Sequence, residues 1–141
     1  MLDAVRVALM ERFAALLRAP THAELAEAAG ISVDEVPAAL RELAGQRMLV
    51  LRPGTDEIWM AAPYSAVPTD YVAVVNGRRH FGNCIWDALG IVAMLGGVGR
   101  VEKLSGDLRV EAAIRRVSAP REYVVHFLVP AARWWEDIGF T

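Results

Sequence analysis

The tightest constraint on this sequence is a pair of helix-start signals on either side of a glycine. Thr21 with Glu24, and Ser32 with Glu35, each show the Ser/Thr-x-x-Glu spacing of a capping box, and Gly30 stands between them where a helix ends. A chain punctuated this closely must turn back on itself. Upstream, Leu2 to Arg18 is amphipathic, with Val5, Leu9, Phe13, Leu16 and Leu17 at helical spacing, and Pro20 stops it. Downstream, "ISVDEVPAALRELAGQ" predicts a third helix that buries Val36, Leu40 and Leu43. Asp34 is preferred as its cap over Ser32, because that start puts Pro37 in the first turn, where a missing N–H is no loss. "MLVLRPGTDEIWMA" then predicts a hairpin, with a strand to Leu51, a turn at "RPGTD" and a strand through Ile58 and Met60. Three helices and a hairpin in this order predict a winged helix-turn-helix-like lobe over residues 1–62.

The rest reads differently. "APYSAVPTD" has two prolines and no periodicity, and predicts a linker between lobes. "YVAVVNGRRHFG" predicts a short strand and a turn at Asn76-Gly77, with Arg78 and Arg79 in a solvated turn. "NCIWDALGIVAML" predicts a helix ended by "GGVG". "VEKLSG", "LRVEAAI" and "EYVVHFLVP" predict strands of an antiparallel sheet, and "AARWWEDIGFT" a short helix or irregular turn. The expected class is α+β, with residues 63–141 forming a small mixed lobe that carries a cysteine-bearing helix.

Composition sets limits. With 141 residues, 55% of them apolar, the chain suits one compact domain or two small lobes sharing a core. A formal charge of −2 argues against a general polyanion binder. No apolar run is long enough to span a bilayer. Asp3, Arg6, Glu11 and Arg12 interrupt any signal-peptide core, and a single cysteine fits a reducing compartment, so the cytoplasm is the expected location.

The chemistry centres on "NCIWDALG". If Asn83 caps the helix, Cys84 takes its first position, where free amides and the helix dipole favour thiolate. Asp87, three residues on, shares that helical face, and apolar neighbours would raise its pKa. A free cysteine is also a common small hydrophobe of cores, and an aspartate in a first turn a common dipole partner; spacing leaves both readings open.

Other groupings are weaker. His80, Cys84, Asp87 and His126 carry zinc-type donors, although structural zinc sites draw mostly on Cys and His. Cys84 with His126 would make a thiol hydrolase pair. His22 reads as a surface residue. Of Trp134 and Trp135, at least one is expected to anchor the core and the other to line a pocket or subunit contact. The third helix offers Asp34, Glu35 and Glu42 against Arg41 and Arg47, which argues against a reader of DNA. A winged-helix regulator or soft-metal sensor using Cys84 is the alternative from another functional class.

The longer string "NGRRHFGNCIWDALGI" resembles the core motif of the organomercurial (alkylmercury) lyase family. "MAAPYSAVPTDYVAVVNG" resembles the stretch leading into it, and "HFLVPAARWWEDIGFT" the segment approaching the family's second essential cysteine. The resemblance implies that Cys84 is the first essential cysteine, binding mercury as substrate and product, and that Asp87 is the proton-handling aspartate. It implies protonolysis of a carbon–mercury bond, with a hydrocarbon and Hg(II) as products and mercuric reductase as the receiving partner. No resident cofactor is expected. The family's second cysteine is expected at or just after "WWEDIGFT", and these 141 residues hold no second thiol. The expectation is therefore a C-terminally truncated or divergent member. A second chain or an external thiol would then supply the missing sulfur, Thr141 offering only a weak oxygen ligand.

Overall fold

The computed structural model describes residues 1–113, 116–120 and 122–139. Helix α1 (Leu2–Leu16) buries Val5, Leu9 and Phe13, as the periodicity predicts. It ends earlier than expected: Leu17 adopts φ +61° as a left-handed cap, which turns its side chain outward. Helix α2 (His22–Ala29) has the expected capping box. Thr21 N–H donates to Glu24 Oε2 at 2.7 Å, Glu24 N–H returns to Thr21 Oγ1 at 3.2 Å, and Gly30 closes the helix at φ +69°.

The third helix starts differently from expectation. Ser32, not Asp34, forms the box with Glu35, its N–H and hydroxyl each donating to Glu35 Oε2 at 2.8 Å. A 3₁₀ turn over Val33–Glu35 absorbs the intervening residues, so α3 (Val36–Gly45) still has Pro37 in its first turn. Both sequence signals are satisfied at once because the tighter turn separates them. Val36, Leu40 and Leu43 are all buried.

The hairpin pairs β1 (Val50–Leu51) with β2 (Ile58–Ala61). The expected linker is instead part of the fold. β3 (Tyr64–Ser65) pairs with β2, and Tyr64 is 2% exposed, its ring stacked on Phe13 at 5.4 Å. Two prolines misled the reading, because a buried aromatic between them outweighs the loss of periodicity.

A second antiparallel sheet has the order β5-β4-β6-β7-β8. β4 (Tyr71–Val75) and β5 (Arg78–Phe81) meet through Asn76 and Gly77, both at positive φ, which fits the Asn-Gly turn signal. Arg78 and Arg79 lie on β5 rather than in a turn; Arg78 donates to the Ala15 carbonyl and Arg79 pairs with Glu102 at 3.2 Å. Helix α4 (Ile85–Met94) lies across β4 and β6 (Gly99–Lys103), burying Ala88, Ile91 and Val92. β7 (Arg109–Ala113) and β8 (Arg116–Ser118) complete the sheet; Ile114 of the predicted strand "LRVEAAI" lies outside the described residues.

"EYVVHFLVP" is not a strand. β8 pairs with β7, and among its described residues the segment runs without ladder pairing and leads into a 3₁₀ turn at Ala131–Glu136. One apolar core runs from α1 through β2 and Tyr64 to α4 and β6. Among the described residues, no helix is long and apolar enough to cross a membrane.

Gly82 is where the two sheets and α4 converge. Tyr64 bridges it, and a Cβ there would lie 2.7 Å from the Ala88 nitrogen and 3.1 Å from its Cβ. Both obstacles belong to the backbone or its first carbon, so nothing can swing aside. Gly82→Ala is expected to lower stability by about 1–3 kcal/mol, read as a fall in urea midpoint at unchanged slope. An unaltered midpoint would show that α4 does not rest on Gly82.

Candidate active site

The chain between β5 and α4 is held on both sides before it reaches the thiol. Gly82 N–H donates to Tyr71 O at 3.0 Å, and Gly82 O accepts from Thr69 Oγ1 at 2.5 Å. Asn83 Nδ2 then donates to Tyr64 O at 3.3 Å and to Asp87 Oδ2 at 2.9 Å. Cys84 follows in extended conformation and is itself the N-cap of α4, so the helix starts one residue later than the sequence suggests. The cap role of Asn83 is corrected accordingly: its amide braces Asp87 instead.

Cys84 and Asp87 line one cavity of about 560 Å³. Its walls come from distant stretches. Arg47, Met48, Leu49, Val50 and Met60 close it from the α3–β1 corner and β2, Tyr71 from β4, and residues between His126 and Gly139 from the C-terminal segment. That segment rests on β2 so closely that a Cβ on Gly139 would lie 2.8 Å from the Trp59 ring. Arg47, at φ +60°, places its guanidinium 5.7 Å from the Trp135 ring centre. Trp134 and Trp135 both line the cavity and neither is buried in the core, against expectation. The contributions of Arg47 and Met48 carry no local signal in the sequence; only the tertiary fold brings them to the thiol.

The electrostatics differ from the helix-dipole argument. Burial pushes the Cys84 thiol above its ordinary value. The amides of Asp87 and Trp86 pull down and the Asp87 charge pushes up, but burial is the largest effect. No side-chain capping hydrogen bond forms at the sulfur. The resting group is therefore thiol, not the thiolate the helix start suggests. Burial also raises Asp87, and the Asn83 amide offsets only part of this. The arrangement holds a protonatable carboxyl next to a neutral sulfur on one apolar wall.

Residues 64–141 match the family model of the alkylmercury lyases, and both Cys84 and Asp87 fall inside that stretch. The chain belongs to the alkylmercury lyase family. A solved structure, the mercury-bound form of MerB2, is similar to it with a TM-score of 0.62 at 20% identity, over 84% of this chain. The chain spans 58% of that protein's length, and at this identity the likeness is one of fold. Among curated proteins, none matches in sequence.

In this alkylmercury lyase family member His126 joins Cys84 and Asp87 around the cavity, whereas His80 does not line it. Among the described residues, no three His, Cys, Asp or Glu side chains are placed to hold a metal ion. His80 is 3% exposed on β5, its ring 6.0 Å from that of Tyr64, and burial followed by the Arg78 charge lowers its pKa. His126 lines the cavity from the C-terminal segment rather than from a strand. His22 is part-buried, not a plain surface residue; its Nε2 meets Asp56 O at 3.2 Å and ties α2 to the hairpin. Thr141 lies outside the described residues.

The raised Asp87 fixes the sign of a pH effect. A neutral Asp87 favours the fold below the ordinary carboxylate range, and that contribution is lost as pH rises through the higher folded value. Asp87→Asn stays neutral throughout. Its stability advantage over the parent is expected to grow with pH across the acid range and then level off, in denaturant titrations at several pH values. A constant difference at all pH values would mean Asp87 titrates normally in the fold.

Proposed function

We propose that this chain captures organomercurials on Cys84 and cleaves their carbon–mercury bond with a proton from Asp87. The observation that carries the reading is one cavity holding the chain's single thiol and a carboxyl of raised pKa, inside the stretch that matches the lyase family model. We read residues 63–141 as the catalytic lobe. Residues 1–62 are read as a winged-helix-like lobe, supported by the order α1, α2, α3, hairpin.

The chemistry follows from softness and charge. Mercury prefers sulfur to oxygen or nitrogen. A substrate R–Hg–X exchanges X for the Cys84 sulfur; the Hg–S bond forms and the thiol proton leaves with X. The carbon–mercury electron pair then takes the Asp87 proton, giving R–H. Mercury stays divalent on Cys84 and Asp87 becomes carboxylate, so nothing is oxidised or reduced. A second sulfur on mercury adds electron density and weakens its bond to carbon. With one cysteine in the sequence, that sulfur has to come from outside these 141 residues, for example from a small thiol. A thiol acceptor of the mercuric reductase type would collect the product. A reducing cytoplasm suits a site that needs free thiols.

The regulator reading gains nothing from α3. Arg41 Nη1 donates to both Asp56 carboxylate oxygens at 2.7 Å, and Arg47 is engaged with Trp135, so these cations are committed within the fold.

The test is hydrocarbon release from phenylmercury or methylmercury with excess small thiol, measured by gas chromatography. Cys84→Ser is expected to lose capture of the organomercurial. Asp87→Asn is expected to keep capture, seen as an intact-protein mass shift, while release falls by about 10²-fold or more. Parental release rates in Asp87→Asn would remove the proton-donor role, and unimpaired capture by Cys84→Ser would remove the sulfur.

A further inference from the structure

The cavity is not lined evenly. Beside Cys84 one wall is aromatic: Trp86 meets Phe127 edge-on at 6.4 Å, and Phe127 meets Trp134 at 5.1 Å. Trp134 is fixed by its Nε1, which donates to Val129 O at 2.7 Å. Three rings from two separate segments thus form a connected series on the surface that also carries Cys84 and Asp87.

None of these rings serves the core. Trp86 is 57% and Phe127 42% exposed, and Trp134 is only part-buried. Aromatic area left facing a concave pocket is the usual composition of a ligand-binding wall. Space is sufficient, since an apolar cavity of about 150 Å³ already admits benzene, and this one measures about 560 Å³.

We propose that Trp86, Phe127 and Trp134 form an aryl-accepting subsite beside Cys84, so that the pocket selects phenyl- over methylmercury. The proposal rests on the organomercurial reading above and adds a substrate class to it. A phenyl group bound to mercury on Cys84 presents a flat π-face and a polarised edge, and Phe127 with its two ring neighbours offers edge and face contacts in return. A methyl group offers neither. Ring–ring contacts of this kind amount to about a threefold to tenfold preference beyond that from buried area.

Exchange from a small thiol measures this without requiring turnover. Each organomercurial is supplied as its mercaptoethanol complex; the mercury passes to Cys84 and mercaptoethanol is released as free thiol, so the same bond type breaks and forms. The ratio of phenyl to methyl transfer constants, read by intact-protein mass spectrometry, cancels the sulfur–mercury bond strength. The parent is expected to favour phenyl, and Phe127→Leu, which keeps apolar volume but removes the ring, to lower the ratio by about threefold or more. Trp86→Leu, on the exposed face of α4, is expected to lower it too. Equal transfer of both compounds to the parent, or an unchanged ratio in both variants, would overturn the subsite while leaving capture on Cys84 intact. Failure of the parent to take up either compound would instead overturn the organomercurial reading on which the subsite rests.

Discussion

The candidate site depends on how the backbone at Gly82 is gripped. Its N–H and C=O are both committed, to Tyr71 and through Thr69, and Tyr64 pairs with it from the other sheet. The first turn of α4 then packs directly on this glycine through Ala88, which is fully buried. β3, β4, α4 and the loop residue Thr69 therefore fix one short connection. Cys84 and Asp87 come immediately after it, so their backbone placement is inherited from these main-chain bonds, and the Asn83 amide braces the Asp87 carboxyl. Because Tyr64 also stacks on Phe13, the position of the thiol is tied to α1.

That rigidity supports a polar arrangement that opposes stability. Asp87 is half-buried and accepts a hydrogen bond from Asn83, whose own Oδ1 is buried without a partner. Tyr64 Oη and His80 Nδ1, behind the same connection, are also buried and unpartnered. Each such group costs about 1–3 kcal/mol relative to a satisfied one. The surrounding core of Leu, Val, Ile and Ala side chains offsets this. A sequence selected only for stability would place apolar residues at Asn83 and Asp87. Polar residues at these positions beside a cavity are the pattern expected where a perturbed carboxyl has work to do.

Local signals in the sequence were legible where one physical effect dominates. The Thr21–Glu24 box, the Gly30 cap, the Asn76-Gly77 turn and the apolar stripe of α3 all depend on neighbours within a few residues, and all are present. The errors have a common origin in tertiary competition. Tyr64 draws a proline-flanked stretch into the core, and β8 rather than "EYVVHFLVP" pairs with β7. Cys84 has the helix-start amides that lower a thiol's pKa, but the burial that outweighs them comes from packing no local rule encodes. For the same reason the "NCIWDALG" spacing located the thiol and carboxyl on one cavity wall without revealing that Arg47, Met60, Phe127 and Trp134 enclose it.

The resistance of both groups to ionisation bears on how an apolar pocket can handle a metal cation at all. Burial raises the proton affinity of both groups, and the Asp87 charge adds to this at Cys84. On the proposed reading, an organomercury cation replaces the thiol proton charge for charge, so the charge of the pocket does not change on binding. Transfer of the Asp87 proton to carbon then leaves a carboxylate next to a mercury centre that has lost its carbon ligand. The new negative charge appears where the new positive charge does, so neither is stranded in the apolar wall. A thiol raised by burial is thus compatible with soft-metal capture, because the incoming cation, rather than the helix dipole, stabilises the sulfur anion.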